Sequence, residues 1–208
     1  MEEKMNKTKK LVLAAVITAI ILLLGFTPLG YIKIATIEVT ILMIPVVIGA
    51  MLLGPAYGAF FGFVFGATSF LQCFGLSLFG ATMLSVNPFF TFICTIVPRV
   101  LMGWLSGLIF QALSRVDKTK IVSFIVTSIS GALLNTIFFT ACFLLFFRNA
   151  NLEGMSLDLS AFSIIDIILM LVTFNAILEI IICGVIGTAL SKVLSIYLPK
   201  LGKRKETT

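Results

Sequence analysis

Apolar residues run through this chain in long unbroken blocks, with polar residues confined to the gaps between them. A helix needs about 20 such residues to cross the hydrocarbon of a bilayer. Blocks of that length predict helices over 9–29, 88–113, 121–147 and 162–194. A further block, Val39 to Phe74, is too long for one crossing and contains "LLGPAYG" at Leu52 to Gly58. Glycine suits the end of a helix and proline the first turn of the next. The break therefore predicts a short helix over 40–53 and another over 55–74. Six transmembrane helices in one domain, residues 1–208, follow as the expected all-α architecture.

Charge placement sets the expected orientation. Twelve of the 15 Lys and Arg residues fall in Lys4 to Lys10, Arg115 to Lys120 and Lys192 to Lys205. Cytoplasmic segments carry such an excess. Six crossings put all three clusters, and both termini, on the cytoplasmic side, whereas five would expose one cluster outside. The basic start before "LVLAAVITAIILLLGF" resembles a secretion signal, but no small-residue cleavage site follows, and it is kept as the first helix. The external segments are then Gly30 to Val39, Gln72 to Asn87 and Arg148 to Ser160. The middle one, "QCFGLSLFGATMLSVN", is apolar enough to re-enter the membrane or to cover a cavity.

Composition agrees. The 208 residues are 60% hydrophobic and 12% charged, with a mean hydropathy of +1.17. Soluble domains are nearer half apolar and a quarter charged. The net charge of +6 belongs to the clusters flanking the membrane, so no nucleic-acid partner is expected. Histidine is absent, which removes the commonest metal ligand and general base. Cys73, Cys94, Cys142 and Cys183 stand singly in apolar segments and suit small buried positions. With no phosphate-binding glycine loop and no HExxH, neither ATP nor zinc chemistry is expected on this chain, and no cofactor or metal is assigned.

Polar groups inside the blocks are the candidates for function, because a charge in hydrocarbon costs about 2.5–3.5 kcal/mol by insertion scales. Counted from helix ends at 1.5 Å per residue, Arg99 lies roughly 16 Å deep, Asn135 roughly 18 Å and Asn175 roughly 20 Å. Glu179 shares a helix face with Asn175. Thr91 and Thr95 precede Arg99 at four-residue spacing, a polar stripe leading to it from the outer end, and Arg99 is the expected floor of an outward-open pocket. Pro98 has no N–H for the carbonyl of Cys94, which predicts a kink and an open acceptor. Two readings follow. Arg99 and Glu179 form a buried ion pair with the asparagines as interhelical glue, or Arg99 binds an anionic ligand, for which a guanidinium suits a carboxylate. A stand-alone transporter with Glu179 as proton relay is a third possibility. Asp166 lies near a helix end and suits an interfacial position.

Small residues mark seams. Gly58, Gly62 and Gly66 on the third helix, and Gly103 and Gly107 on the fourth, predict close helix contacts. Ala15 and Ala19 form a flat strip on the first helix that fits either an internal neighbour or a partner subunit.

The run "VTILMIPVVIGAMLLGPAYGAFFGFVFGATSF" (Val39 to Phe70), with "VPRVLMGW", the asparagine of "GALLNTIFFT" and the Ala15-x-x-x-Ala19 strip, resembles the S components of energy-coupling factor (ECF) vitamin transporters. The resemblance covers nearly the whole chain, and its wording is most similar to the pantothenate-type branch. It implies a non-catalytic plasma-membrane subunit, in bacteria, that captures vitamin from outside. Such a subunit works with a transmembrane coupling subunit and two cytoplasmic ATPases, here meeting the coupling subunit through Ala15 and Ala19. The loop holding Tyr31, Lys33, Glu38 and Thr40 helps close the site. The resemblance implies Arg99 for the carboxylate of pantothenate and Asn135, Asn175 and Thr95 for its hydroxyls and amide, with Thr91, Glu179, Thr40 and Tyr31 also expected at the site. Folate, biotin, cobalamin and riboflavin remain alternative ligands for such a scaffold.

Overall fold

A computed structural model describes residues 6–27, 30–34, 37–117, 121–147, 151–152, 157–158, 177, 179–189 and 193. Its body is helical: α1 (Lys7–Gly25), α2 (Met43–Leu53), α3 (Pro55–Gln72), α4 (Leu78–Val86), α5 (Pro88–Leu113) and α6 (Ile121–Phe147). Residues 179–189 are also helical, with a π-helical turn over Cys183–Gly187. Among the described residues, α1, α5 and α6 are long and apolar enough to cross a membrane, and α2 is a shorter apolar helix. Most of the sixth expected helix, over 162–194, lies outside the described residues, as do Asp166 and Asn175.

Helix α2 sits at the centre. Every residue from Met43 to Met51 is buried, as a helix that is apolar all round requires. Its start is Met43 rather than the expected residue 40. Pro45 explains the difference: in a helix begun at 40 it would oppose the carbonyl of Ile41, whereas from Met43 it lies in the first turn, where no donor is needed. The turn into α3 is made at Gly54, whose φ of 100° disfavours any side chain, and Pro55 opens α3 as the sequence predicts.

The glycine seam is real and is made of backbone. A Cβ at Gly58 would fall 2.2 Å from the carbonyl oxygen of Gly103, one at Gly62 2.2 Å from that of Arg99, and one at Gly66 2.8 Å from Cα of Ile96. Gly107 meets Pro55 in the same way. Helices α3 and α5 therefore touch over about three turns, chiefly backbone against backbone. On α1 the core face is Ala14, Ile17, Ile21 and Gly25, and the Gly25 carbonyl accepts from Gln72 of α3. Leu11, Val12, Val16 and Leu23 point outward, an apolar surface suited to lipid.

Two segments expected as external loops are folded. Tyr31–Ile34 (β1) and Ile37–Thr40 (β2) pair antiparallel, with Tyr31 opposite Thr40. Residues 72–87 contain α4, capped by Ser77, whose hydroxyl accepts from Gly80 N–H. Helix α4 lies on an aromatic cluster in which Phe79 contacts Phe139 and Phe143, and Phe90 stacks on Phe146. A second short hairpin pairs Asn151–Leu152 (β3) with Leu157–Asp158 (β4).

Candidate functional site

Helix α5 is launched by Asn87, whose side chain accepts from the N–H groups of Phe89 and Phe90, with Pro88 in the first turn. Eleven residues on, Arg99 follows Pro98. Its Nη1 donates to the carbonyl oxygen of Cys94 at 2.8 Å, the acceptor that Pro98 leaves open. The same guanidinium lies 4.7 Å from the ring centroid of Phe139 on α6 and 5.5 Å from that of Phe65 on α3. Cation–π contacts at such distances are attractive. The charge is thus held where α3, α5 and α6 meet.

This placement corrects the expected depth. Reaching the carbonyl of a residue five positions earlier carries the guanidinium up to about 5 Å from its own backbone level toward the Asn87 end of α5. It sits beside Phe139, one helical turn beyond Asn135 in the same direction. The guanidinium thus lies nearer the Asn87 end of α5 than Asn135 does, on a side wall of the expected pocket rather than at its floor.

Helix α6 supplies a buried polar face: Ser123, Thr127, Ser128, Asn135, Thr136 and Thr140. Asn135 is 6% exposed, and among the described residues its Oδ1 has no hydrogen-bond partner. A buried acceptor left alone costs about 1–3 kcal/mol, so a donor from a bound molecule would be stabilising there.

Glu179 is 3% exposed. Its Oε1 accepts from the backbone N–H of Thr40 at 3.1 Å, and the Thr136 hydroxyl stands 3.3 Å from Oε2. Glu179 is thereby linked to the end of β2, and the charge of Arg99 acts on the same carboxylate. Thr91 and Thr95 are buried on the expected face, but their hydroxyls donate to carbonyls of their own helix, Asn87 and Thr91 respectively. The stripe offers a ligand acceptor lone pairs and not free protons. Tyr31 is placed by its strand pairing with Thr40, and Asn175 lies outside the described residues.

Thr136, Phe139 and Phe65 were not singled out from sequence. Phe139 was accessible, since it lies four residues from Asn135 on the same helix face. Phe65 carried no polar signal.

Residues 9–191 match the family model described as "ECF transporter, substrate-specific component". The chain belongs to this family. As an ECF substrate-specific component it is a transport subunit and not an enzyme. It is also similar to the pantothenate transporter PanT of Leuconostoc mesenteroides subsp. mesenteroides, 37% identical over 112 residues. That match covers 51% of the chain and 52% of the relative, about half the length of each.

Helix α1 carries the small-residue strip noted from sequence. Ala15 and Ala19 are exposed, on the side away from the α1 core face. They line an open apolar groove with Leu11, Thr18 and, from α3, Tyr57 and Phe60. Internal packing of the strip is thereby excluded within the described residues.

Proposed function

We propose that this ECF component is a membrane-embedded, high-affinity pantothenate-binding subunit of an ABC-type importer, located in the plasma membrane. It crosses the bilayer six times with both termini cytoplasmic and takes the vitamin from outside. A transmembrane coupling subunit docks on the Ala15/Ala19 groove, and two cytoplasmic ATPases supply the energy. The observation that carries the ligand reading is the pairing of a fixed guanidinium with the orphaned Oδ1 of Asn135 one turn away. A ligand bearing a carboxylate and, a few bonds distant, a hydroxyl or amide donor satisfies both. Pantothenate has that pattern, and the similarity to PanT supports it.

In this reading Arg99 binds the carboxylate, Asn135 and Asn175 the hydroxyls and amide, and Thr91 and Thr95 accept from the ligand. Glu179 holds the Tyr31–Thr40 hairpin over the site and bounds it from below. The test is calorimetry of the detergent-purified chain with a panel of water-soluble vitamins. Stoichiometric binding of pantothenate is expected, without ATPase activity. Arg99→Ala should lower its affinity by more than about a hundredfold, for two charge-assisted hydrogen bonds at about 1.5 kcal/mol or more each, while the protein stays monodisperse. Binding of folate, biotin, cobalamin or riboflavin instead would reassign the ligand, and aggregation of the variant would make Arg99 structural.

A further inference from the structure

A helix carbonyl ordinarily points along the axis at the N–H four residues ahead. For Cys94 that donor is missing, because residue 98 is proline. The open acceptor is filled by Arg99, the next residue, whose Nη1 closes at 2.8 Å. Without this vacancy a guanidinium at position 99 would have to compete with a backbone N–H for the same oxygen. The Pro-Arg pair thus acts as one unit: the first residue opens an acceptor inside the membrane, and the second is drawn to it. The carbonyl gives the guanidinium a directional bond on α5, and Phe139 and Phe65 give it π-faces.

We infer that Pro98 is a positioning residue for ligand recognition, acting through Arg99 to set affinity for the ligand's carboxylate. It never touches the ligand. Its effect is confined to the charged end, so it governs discrimination between an anionic ligand and its neutral analogue. The inference rests on the reading of Arg99 as the carboxylate-binding residue.

Pro98→Ala tests it in the full-length protein. Alanine restores the N–H to Cys94 and favours helix, so the variant is expected to fold at least as well as the parent. Two probes are titrated by calorimetry: pantothenate, and pantothenol, in which a primary alcohol replaces the carboxylate. The parent should bind pantothenate more tightly. In Pro98→Ala the affinity for pantothenate should fall by about tenfold, the effect of one charge-assisted hydrogen bond, with pantothenol unchanged. In parallel, modification by phenylglyoxal, followed at the Arg99 peptide by mass spectrometry, should accelerate in ligand-free Pro98→Ala. An equal loss for both probes, or an unchanged preference together with unchanged Arg99 reactivity, overturns the inference. A parent that binds the two probes alike overturns instead the carboxylate role of Arg99, whatever Pro98→Ala does.

Discussion

Replacing Gly62 by alanine probes the contact on which the site is built. The added Cβ would lie 2.2 Å from the Arg99 carbonyl oxygen, 2.7 Å from its carbon and 2.9 Å from Cα of Val100. All three are backbone atoms, so no rotamer change can relieve the clash. Carbon contacts settle near 3.5–4.0 Å, so α3 and α5 must part by about 1 Å. Neighbouring contacts at Gly58 (2.2 Å) and Gly66 (2.8 Å) are also close and must open as well. Overpacking of this kind costs about 1–3 kcal/mol, while alanine gains up to about 1 kcal/mol of helix propensity over glycine. With backbone on both sides the clash prevails, by about 1–2 kcal/mol. At about 2–4 °C per kcal/mol for a chain of this size, the melting temperature should fall by roughly 2–8 °C. Ligand affinity should fall with it, because Arg99 moves with its own carbonyl. Thermal unfolding in detergent by circular dichroism, with calorimetric titration of pantothenate, reads both. Gly184→Ala is the control, since among the described residues its Cβ meets only Ile129, at 3.4 Å. A Gly62→Ala protein as stable and as tight-binding as the parent would refute the reasoning.

Phenylalanine at Ala15 or Ala19 should leave pantothenate affinity within about twofold of the parent but abolish co-purification with the coupling subunit and uptake in cells, because both positions are exposed. Lost ligand binding in either variant would show that the strip serves the site. Glu179→Ala removes the acceptor of the Thr40 N–H, and exchange of that amide should accelerate about tenfold or more, for an unsatisfied donor worth about 1–3 kcal/mol. Glu179→Gln keeps an acceptor and should restore most of the protection; equal exchange in all three proteins would disprove the link. Uptake into liposomes by the chain alone, lost in Glu179→Gln, would instead establish a proton-coupled carrier.

Several features were legible because backbone chemistry decides them locally. The Gly54-Pro55 break, the glycine ladder of α3 and the open carbonyl under Pro98 each follow from what one residue lacks: a Cβ or an N–H. The occupant of that carbonyl was not legible, since it depends on which way a long side chain turns. Depth counted from Cα positions therefore placed the Arg99 charge about a turn too far from the Asn87 end. In "YIKIATIEVT" the β-branched Ile and Val residues alternate with polar ones, a strand signal, but a segment between two apolar blocks was read as a loop. Helix α4 was hidden for a related reason: its apolar residues face an aromatic cluster that exists only once α5 and α6 come together. The link from Glu179 to Thr40 joins residues 139 positions apart and leaves no trace in local pattern.

Helix α3 turns Tyr57 and Phe60 toward the groove and its glycine edge toward α5. Side chains at an interface usually act as cushions, absorbing small shifts by changing rotamer. Along this edge there are none to yield. Pressure from a subunit seated against Tyr57 would reach the Arg99 main chain undamped, as in a lever whose two arms are one piece of metal. Under the proposed function, docking and release of the ligand's anionic end would be coupled through this one stiff seam, and only prising the two helices apart would disconnect them.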